Sequence, residues 1–381
     1  MMTLNSKKEL LRVIHPRYLK ASKTKKTEIL NEFIATTGYH RKYAIRVLKQ
    51  GPRRRKFGKT GNRQKIYQGK VVEVLKELWE ITGRLCSKRL KPFLPEIVEV
   101  LERCNEIQIS PDTKKLLFKM SCSTIDRCLR PVRLKNNKRG MSTTKPGTLL
   151  KNAIPVRTFT EWDDMIPGFV EIDLVAHCAE STAGQYLNTL TVTDIATGWT
   201  ECLGILYRSQ EKVSEAIIEL RQRLPFPLLG IDSDNGSEFI NHTLYNYCQE
   251  EEITFTRCRP YKKNDQAHVE QKNWSVVRRL IGYCRYETED ELILLRAIYA
   301  DWRLYVNFFQ PVLKLISKER IGSKVKKKYD TATTPYRRVL ASDLVSTEDK
   351  ARLINSYYQL NPVSLRNNID KNIAKLWKLI R

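Results

Sequence analysis

Ser233-Asp-Asn-Gly-Ser-Glu-Phe239 and Asn264-Asp-Gln-Ala-His-Val-Glu-Gln-Lys-Asn273 decide how this chain is read. Asp234 follows a short apolar run, Leu228 to Ile231, with the length and content of a buried strand. Glu270 lies early in Val269 to Tyr283, where apolar positions recur at helical spacing. A third carboxylate, Asp173, sits in Phe169-Val-Glu-Ile-Asp-Leu-Val175, whose alternation is that of a strand. Two strand ends and one helix thus offer three acids to one place. Carboxylate oxygens suit hard divalent cations such as Mg2+ or Mn2+, and those ions serve phosphoryl transfer.

Asp173, Asp234 and Glu270, with 35 residues between the last two, resemble the Asp-Asp-35-Glu signature of retroviral integrases and related insertion-sequence transposases. The words Asp-Asn-Gly and Val-Glu-Gln-Lys-Asn around the acids carry the resemblance further, and it covers residues 167–311. It implies an α/β fold with an RNase H-like core, a mixed five-stranded sheet flanked by helices. It also implies two Mg2+ (or Mn2+) ions, with Asp173 bridging them, Asp234 holding one and Glu270 the other. Two such ions, about 3.5–4 Å apart, activate an attacking oxygen and stabilise the leaving one. The implied activity is cleavage of DNA ends followed by strand transfer, by a homo-multimer assembled on element ends and target DNA. An RNase H-type nuclease that only hydrolyses is the alternative enzyme. A domesticated DNA-binding protein without catalysis is the alternative outside enzymes.

The charge agrees with a polyanionic partner. The 381 residues carry a net +26, and residues 161–300 hold 23 Asp and Glu against 13 Lys and Arg, a net of −10. The rest of the chain therefore carries +36, so basic flanks surround an acidic middle. Nine scattered cysteines without a Cys-x-x-Cys pair read as buried thiols of a reducing compartment. No apolar run is long enough to span a membrane, and the first ten residues lack a signal-peptide core. The expected location is cytoplasmic, at the nucleoid.

Residues 1–66 are expected to form a helix-turn-helix DNA-binding region with a basic linker. Ile29, Leu30, Phe33 and Ile34 stripe one helix, a Thr-Gly-Tyr break follows, and a basic helix starts near His40. Its Tyr43, Ala44, Val47 and Leu48 share one face, while Arg41, Lys42, Arg46 and Lys49 are expected to meet DNA. Arg53, Arg54 and Arg55 lie in a Gly/Pro/Arg-rich linker suited to a phosphate backbone. His15 and His40 have no cysteine pair nearby, so no zinc module of the retroviral kind is expected.

Residues 67–134 read as a second helical region, in which Ser121 to Arg130 resembles a recognition helix capped by Ser123. A linker over 135–160 leads to the core, 161–311. There the expected strands are Phe169–Ala176, Tyr186–Asp194, Thr200–Leu206, Leu228–Asp232 and Thr254–Thr256. The expected helices are Glu211–Arg223, Glu238–Glu251 and Glu287–Phe308, beside the one carrying Glu270. Glu171 reads as an exposed strand residue, Asp194 as a strand end, and Asp232 as the rival of Asp234. Asn273 shares the helix face of Glu270. Lys262, Lys263, Arg278 and Arg279 are expected to contact DNA, because Trp274 and Val277 stand where retroviral members present lysines. Residues 312–381 form a basic C-terminal region whose last helix spans Arg366–Ile380.

Overall fold

Alternation in the middle of the chain produces strands, and the computed structural model describes residues 2–52, 66–133, 166–258, 267–321 and 324–380. These separate into two compact units, 1–66 and 67–381.

The first unit holds α1 (Leu4–Lys20), α2 (Lys23–Thr37) and α3 (Arg41–Gln50). Gly38 ends α2 at φ +68°, a left-handed conformation that glycine adopts without penalty. Phe33, Ala44 and Leu48 are fully buried between the helices. Tyr43, expected on the apolar face, is 40% exposed. It sits edge-on to Tyr39 and beneath the Arg46 guanidinium, so the ring serves as a shelf for the basic face.

The second unit begins with α4 (Lys70–Ile81), α5 (Ser87–Arg103), α6 (Pro111–Lys119) and α7 (Cys122–Arg133). Ser121, not Ser123, caps α7, its hydroxyl accepting from the Thr124 amide. A five-stranded sheet follows, built from β1 (Phe169–Ala176), β2 (Asn188–Asp194), β3 (Thr200–Ile205), β4 (Gly230–Ser233) and β5 (Thr254–Arg257). Its order is β3-β2-β1-β4-β5, with β1, β2 and β3 antiparallel and β4 and β5 parallel to β1. This is the mixed sheet of an RNase H-like core.

Period two sorts the two faces. Val170, Ile172, Leu190, Val192 and Ile231 point to α8 (Gln210–Arg221) and α9 (His242–Glu250). α9 begins four residues later than expected because Asn241 takes the cap, accepting from the Leu244 amide, and leaves Glu238 in the preceding turn.

The opposite face bears α10 (Ala267–Lys272), which widens into a π-helical stretch over Asn273–Arg278 and closes as α11 (Arg279–Ile281). α12 (Glu289–Phe309) covers it too, started by a reciprocal capping box between Thr288 and Glu291. β6 (Leu315–Ile321) and β7 (Lys324–Tyr329) then form a separate antiparallel ribbon, and α13 (Pro335–Ala341), α14 (Thr347–Gln359) and α15 (Pro362–Leu379) end the chain. Sequence periodicity anticipates only α15 among these last five elements. α4 to α7 share one apolar cluster with α12 and α15, so they are built into the second unit's core.

Candidate active site

Register brings the first two acids together. Glu171 pairs with Asp232 and Ile172 with Ser233 across the parallel β1–β4 pairing, so the next residues along, Asp173 inside β1 and Asp234 just past the end of β4, come side by side. Neighbouring strands run about 4.8 Å apart. This is the carboxyl end of parallel strands, where α/β sheets gather their sites.

Asp173 is held on both oxygens. The Leu174 amide donates to Oδ1 at 2.8 Å, and Asn273 Nδ2 donates to Oδ2 at 2.5 Å. Asn273 therefore braces Asp173, across 100 residues, from the start of the π-helical stretch. Its own Oδ1 is buried without a hydrogen-bond partner among the described residues. Burial first, and then the charge of Asp234, push the Asp173 carboxyl up to about 7, against the pull of the Leu174 amide and Asn273. Glu270 adds a smaller push in the same direction.

Asp234 is set by the turn that follows it. Its Oδ1 accepts from the Gly236 amide at 2.8 Å, and the Gly236 carbonyl accepts from Phe239 and Ile240. A Cβ on Gly236 would stand 2.6 Å from the Glu238 carboxylate, which is buried and paired with Arg208 from the loop after β3. Burial raises the Asp234 carboxyl, the Gly236 amide lowers it, Glu238 raises it and Arg208 lowers it. Asn235 locks the turn to β5, donating to the Cys258 carbonyl and accepting from Arg257. The Asp-Asn-Gly word thus shapes the turn, as its residue types imply.

Glu270 stands exposed on α10, which lies against β1 and β2. Two anchors hold that helix. Lys272 Nζ donates to the Gly198 carbonyl in the β2–β3 turn at 3.0 Å, and burial pulls this ammonium down to about 7, with Arg89 adding to the effect. The other anchor is Glu171, and here the expectation fails: Glu171 is 1% exposed. Its Oε2 accepts from the His268 and Val269 amides at 3.0 and 2.9 Å. The alternation that suggests a solvent-facing residue 171 turns it instead toward α10, on the same face as Asp173. That shared face is the sequence signal for it.

Asp232, the rival of Asp234, is fully buried one layer below and accepts from Thr256 Oγ1. Asp194 ends β2 as expected, accepting from the Gly168 and Thr197 amides. Among the described residues no three His, Cys, Asp or Glu side chains form a group that could hold a metal ion as they stand. Asp173 and Asp234 adjoin, while Glu270 acts on Asp173 through its charge. The donors nonetheless suit a hard cation. They are carboxylate oxygens whose mutual repulsion a cation relieves, beside an orphaned amide oxygen of Asn273.

Of the basic residues expected at DNA, Arg41, Lys42, Arg46 and Lys49 are exposed on α3, Arg41 with one donor on Asn31. Arg278 donates to the Ala176 carbonyl and stacks over Tyr283; Arg279 donates to the Gly83 carbonyl. Trp274 is 60% exposed and Val277 fully buried. Arg53, Arg54, Arg55, Lys262 and Lys263 lie outside the described residues.

Comparison with known proteins places the chain in a family. The model of the family "Integrase core domain" matches residues 165–263, which include Asp173 and Asp234. The chain is 40% identical over 346 residues to the uncharacterized protein y4rM of Sinorhizobium fredii, covering 88% of this chain and 96% of that protein. This chain belongs to the family of y4rM, and its core is an integrase core domain. Among solved structures it is similar to the catalytic core domain of BIV integrase, at 23% identity, 46% of this chain, 95% of that chain and a TM-score of 0.31. No described helix of this integrase-core protein is long and apolar enough to cross a membrane.

Proposed function

We propose that this protein is a DNA transposase of an insertion sequence, which cuts the element's DNA ends and joins them to target DNA. The observation that carries the reading is the β1–β4 register, which sets Asp173 and Asp234 side by side, with α10 packed against β1 and β2 on the face that Asp173 shares. Asp173 and Asp234 repel one another, with a smaller push from Glu270, a cost that a pure binding protein has no use for.

Asp173, Asp234 and Glu270 are the acids that would hold divalent ions, with Asp173 between the other two. When bound, two Mg2+ or Mn2+ ions lower the pKa of an attacking oxygen and neutralise charge on the leaving one. Asn273 keeps the Asp173 carboxylate from turning away. The Gly236 amide does the same for Asp234. Attack by water would cut the DNA end, and attack by the freed 3′-hydroxyl would join it, so no covalent intermediate on the protein is needed.

The basic flanks would supply the grip on DNA. In unit 1–66 the exposed Arg41, Lys42, Arg46 and Lys49 of α3 support a helix-turn-helix reading, with Arg53 to Arg55 following the phosphates. Lys262, Lys263, Arg278 and Arg279 are proposed DNA contacts around the core, and a homo-multimer on paired ends is the proposed assembly. A protein doing this work acts in the cytoplasm, at the nucleoid.

The test is a strand-transfer assay with precleaved ends in Mn2+. Joined product, lost in Asp234→Asn while DNA affinity stays within about twofold of the parent, is expected. Hydrolysis without joining would favour the nuclease alternative, and equal loss of binding and joining would remove the metal role of Asp234.

A further inference from the structure

Glu171 links the acid on β1 to the acid on α10. It precedes Asp173 by two residues, so both side chains leave the same face of β1. Its carboxylate oxygen accepts from the amides of His268 and Val269, the two residues directly before Glu270. Amides in the first helical turn have no partner within the helix, and that end of the helix attracts negative charge. One side chain therefore bonds the strand of Asp173 to the backbone next to Glu270, across 97 residues.

We propose that Glu171 is a positioning residue that sets where Glu270 stands relative to Asp173 and Asp234; this rests on reading those three as one metal-holding set. A carboxylate with a fixed number of bonds from β1 fixes the distance from the strand to the start of α10. The second anchor, Lys272 to the Gly198 carbonyl, stops the helix from pivoting about the first. Glu270 projects between the two anchors in sequence, so its backbone is held on both sides while its side chain remains exposed. The role needs no contact between Glu171 and an ion. Residues that orient ligands in this way change metal affinity or activity by about 10–100-fold when replaced.

The experiment uses the full chain and two substitutions, Glu171→Gln and Glu171→Ala, so that a folding failure of the second leaves the first. Amide hydrogen exchange of the peptide spanning 267–272 reads the anchor directly, with β2 and β3 as internal reference. Exchange several-fold faster there, at unchanged rates in the reference strands, is expected. Unchanged exchange in 267–272 overturns the proposal. The second readout is the Mn2+ concentration that gives half the maximal rise in melting temperature, with Asp173→Asn as control. A midpoint raised about tenfold in Glu171→Gln supports positioning. Faster exchange with the parental midpoint shows a cap that serves stability alone, and overturns it. A Mn2+ response that survives Asp173→Asn overturns the metal reading beneath the proposal, and the exchange result then shows whether the anchor itself stands.

Discussion

At the scale of single residues, Asp173 has a sign that can be measured. Its carboxyl is raised to about 7 by burial and by Asp234, above the ordinary value of 3.8. The folded protein therefore holds a proton that the unfolded chain has released between those values. Stability contributed by this group is present at low pH and lost as pH rises toward 7. Asp173→Asn removes the loss: with chelator present, it is expected to melt a few degrees above the parent at pH 8 and level with it near pH 4. Adding Mn2+ reverses the order at pH 8, because only the parent keeps the anionic oxygen that a cation binds. A pH-independent difference between the two proteins would mean that Asp173 does not carry this proton. Asp232 makes a useful contrast. It lies deeper than Asp234, with Thr256 as donor, and Asp232→Asn is expected to change stability without selectively removing the Mn2+ response.

At the scale of elements, the Asp234 turn and the α10 helix show how local chemistry serves a distant geometry. Gly236 is glycine because a Cβ would press on the Glu238 carboxylate that Arg208 holds. Gly236→Ala should cost about 0.5–3 kcal/mol, the range of most destabilising single substitutions. The same change should raise the Mn2+ requirement, since Asp234 takes its hydrogen bond from the Gly236 amide. Thermal melts and Mn2+ titration of one sample read both effects. The helix on the other side of the site is no regular α-helix. Its π-helical stretch begins at Asn273, the residue that reaches back to Asp173. Such widened turns recur at functional sites.

At the scale of the whole molecule, the chain forms two units with their own cores. Residues 1–66 bury Phe33, Ala44 and Leu48 among themselves. Residues 67–381 are expected to fold without them, keeping the Mn2+-dependent rise in melting temperature while losing most affinity for element ends. Loss of the Mn2+ response on that truncation would contradict the division. By contrast α4 to α7 are tied into the second unit's core. The Tyr305 hydroxyl donates to the Ile81 carbonyl, Gln310 donates to the Thr82 carbonyl, and Arg103 to the Tyr357 carbonyl. A truncated chain starting at residue 135 is therefore expected to be insoluble or molten. DNA affinity of the full chain should fall steeply with salt, by a slope of about −0.9 per phosphate neutralised. Replacing the exposed Lys326, Lys327 and Lys328 of the β6–β7 ribbon should make that slope shallower.

The sequence alone is sufficient for the succession of strands along the core and for the basic helix α3, while Asp173, Asp234 and Glu270 stand out as a set through their resemblance to the integrase signature. Periodicity of two and of 3.6, turn residues and charge are local properties, and the strands and that helix follow from them. Glu171 defeats the sequence because alternation says which residues share a face and not what covers that face; only α10, 97 residues on, decides that. The late start of α9, the π-helical stretch and the β6–β7 ribbon are hidden for a related reason. A cap by Asn241, a bond from Asn273 to Asp173 and a two-stranded ribbon stapled by Asp330 depend on partners distant in the chain or on which of several competing caps wins. Adjacency of the acids belongs to both levels: the residues that can meet are written in the strands, and the parallel register of β1 with β4 makes them neighbours.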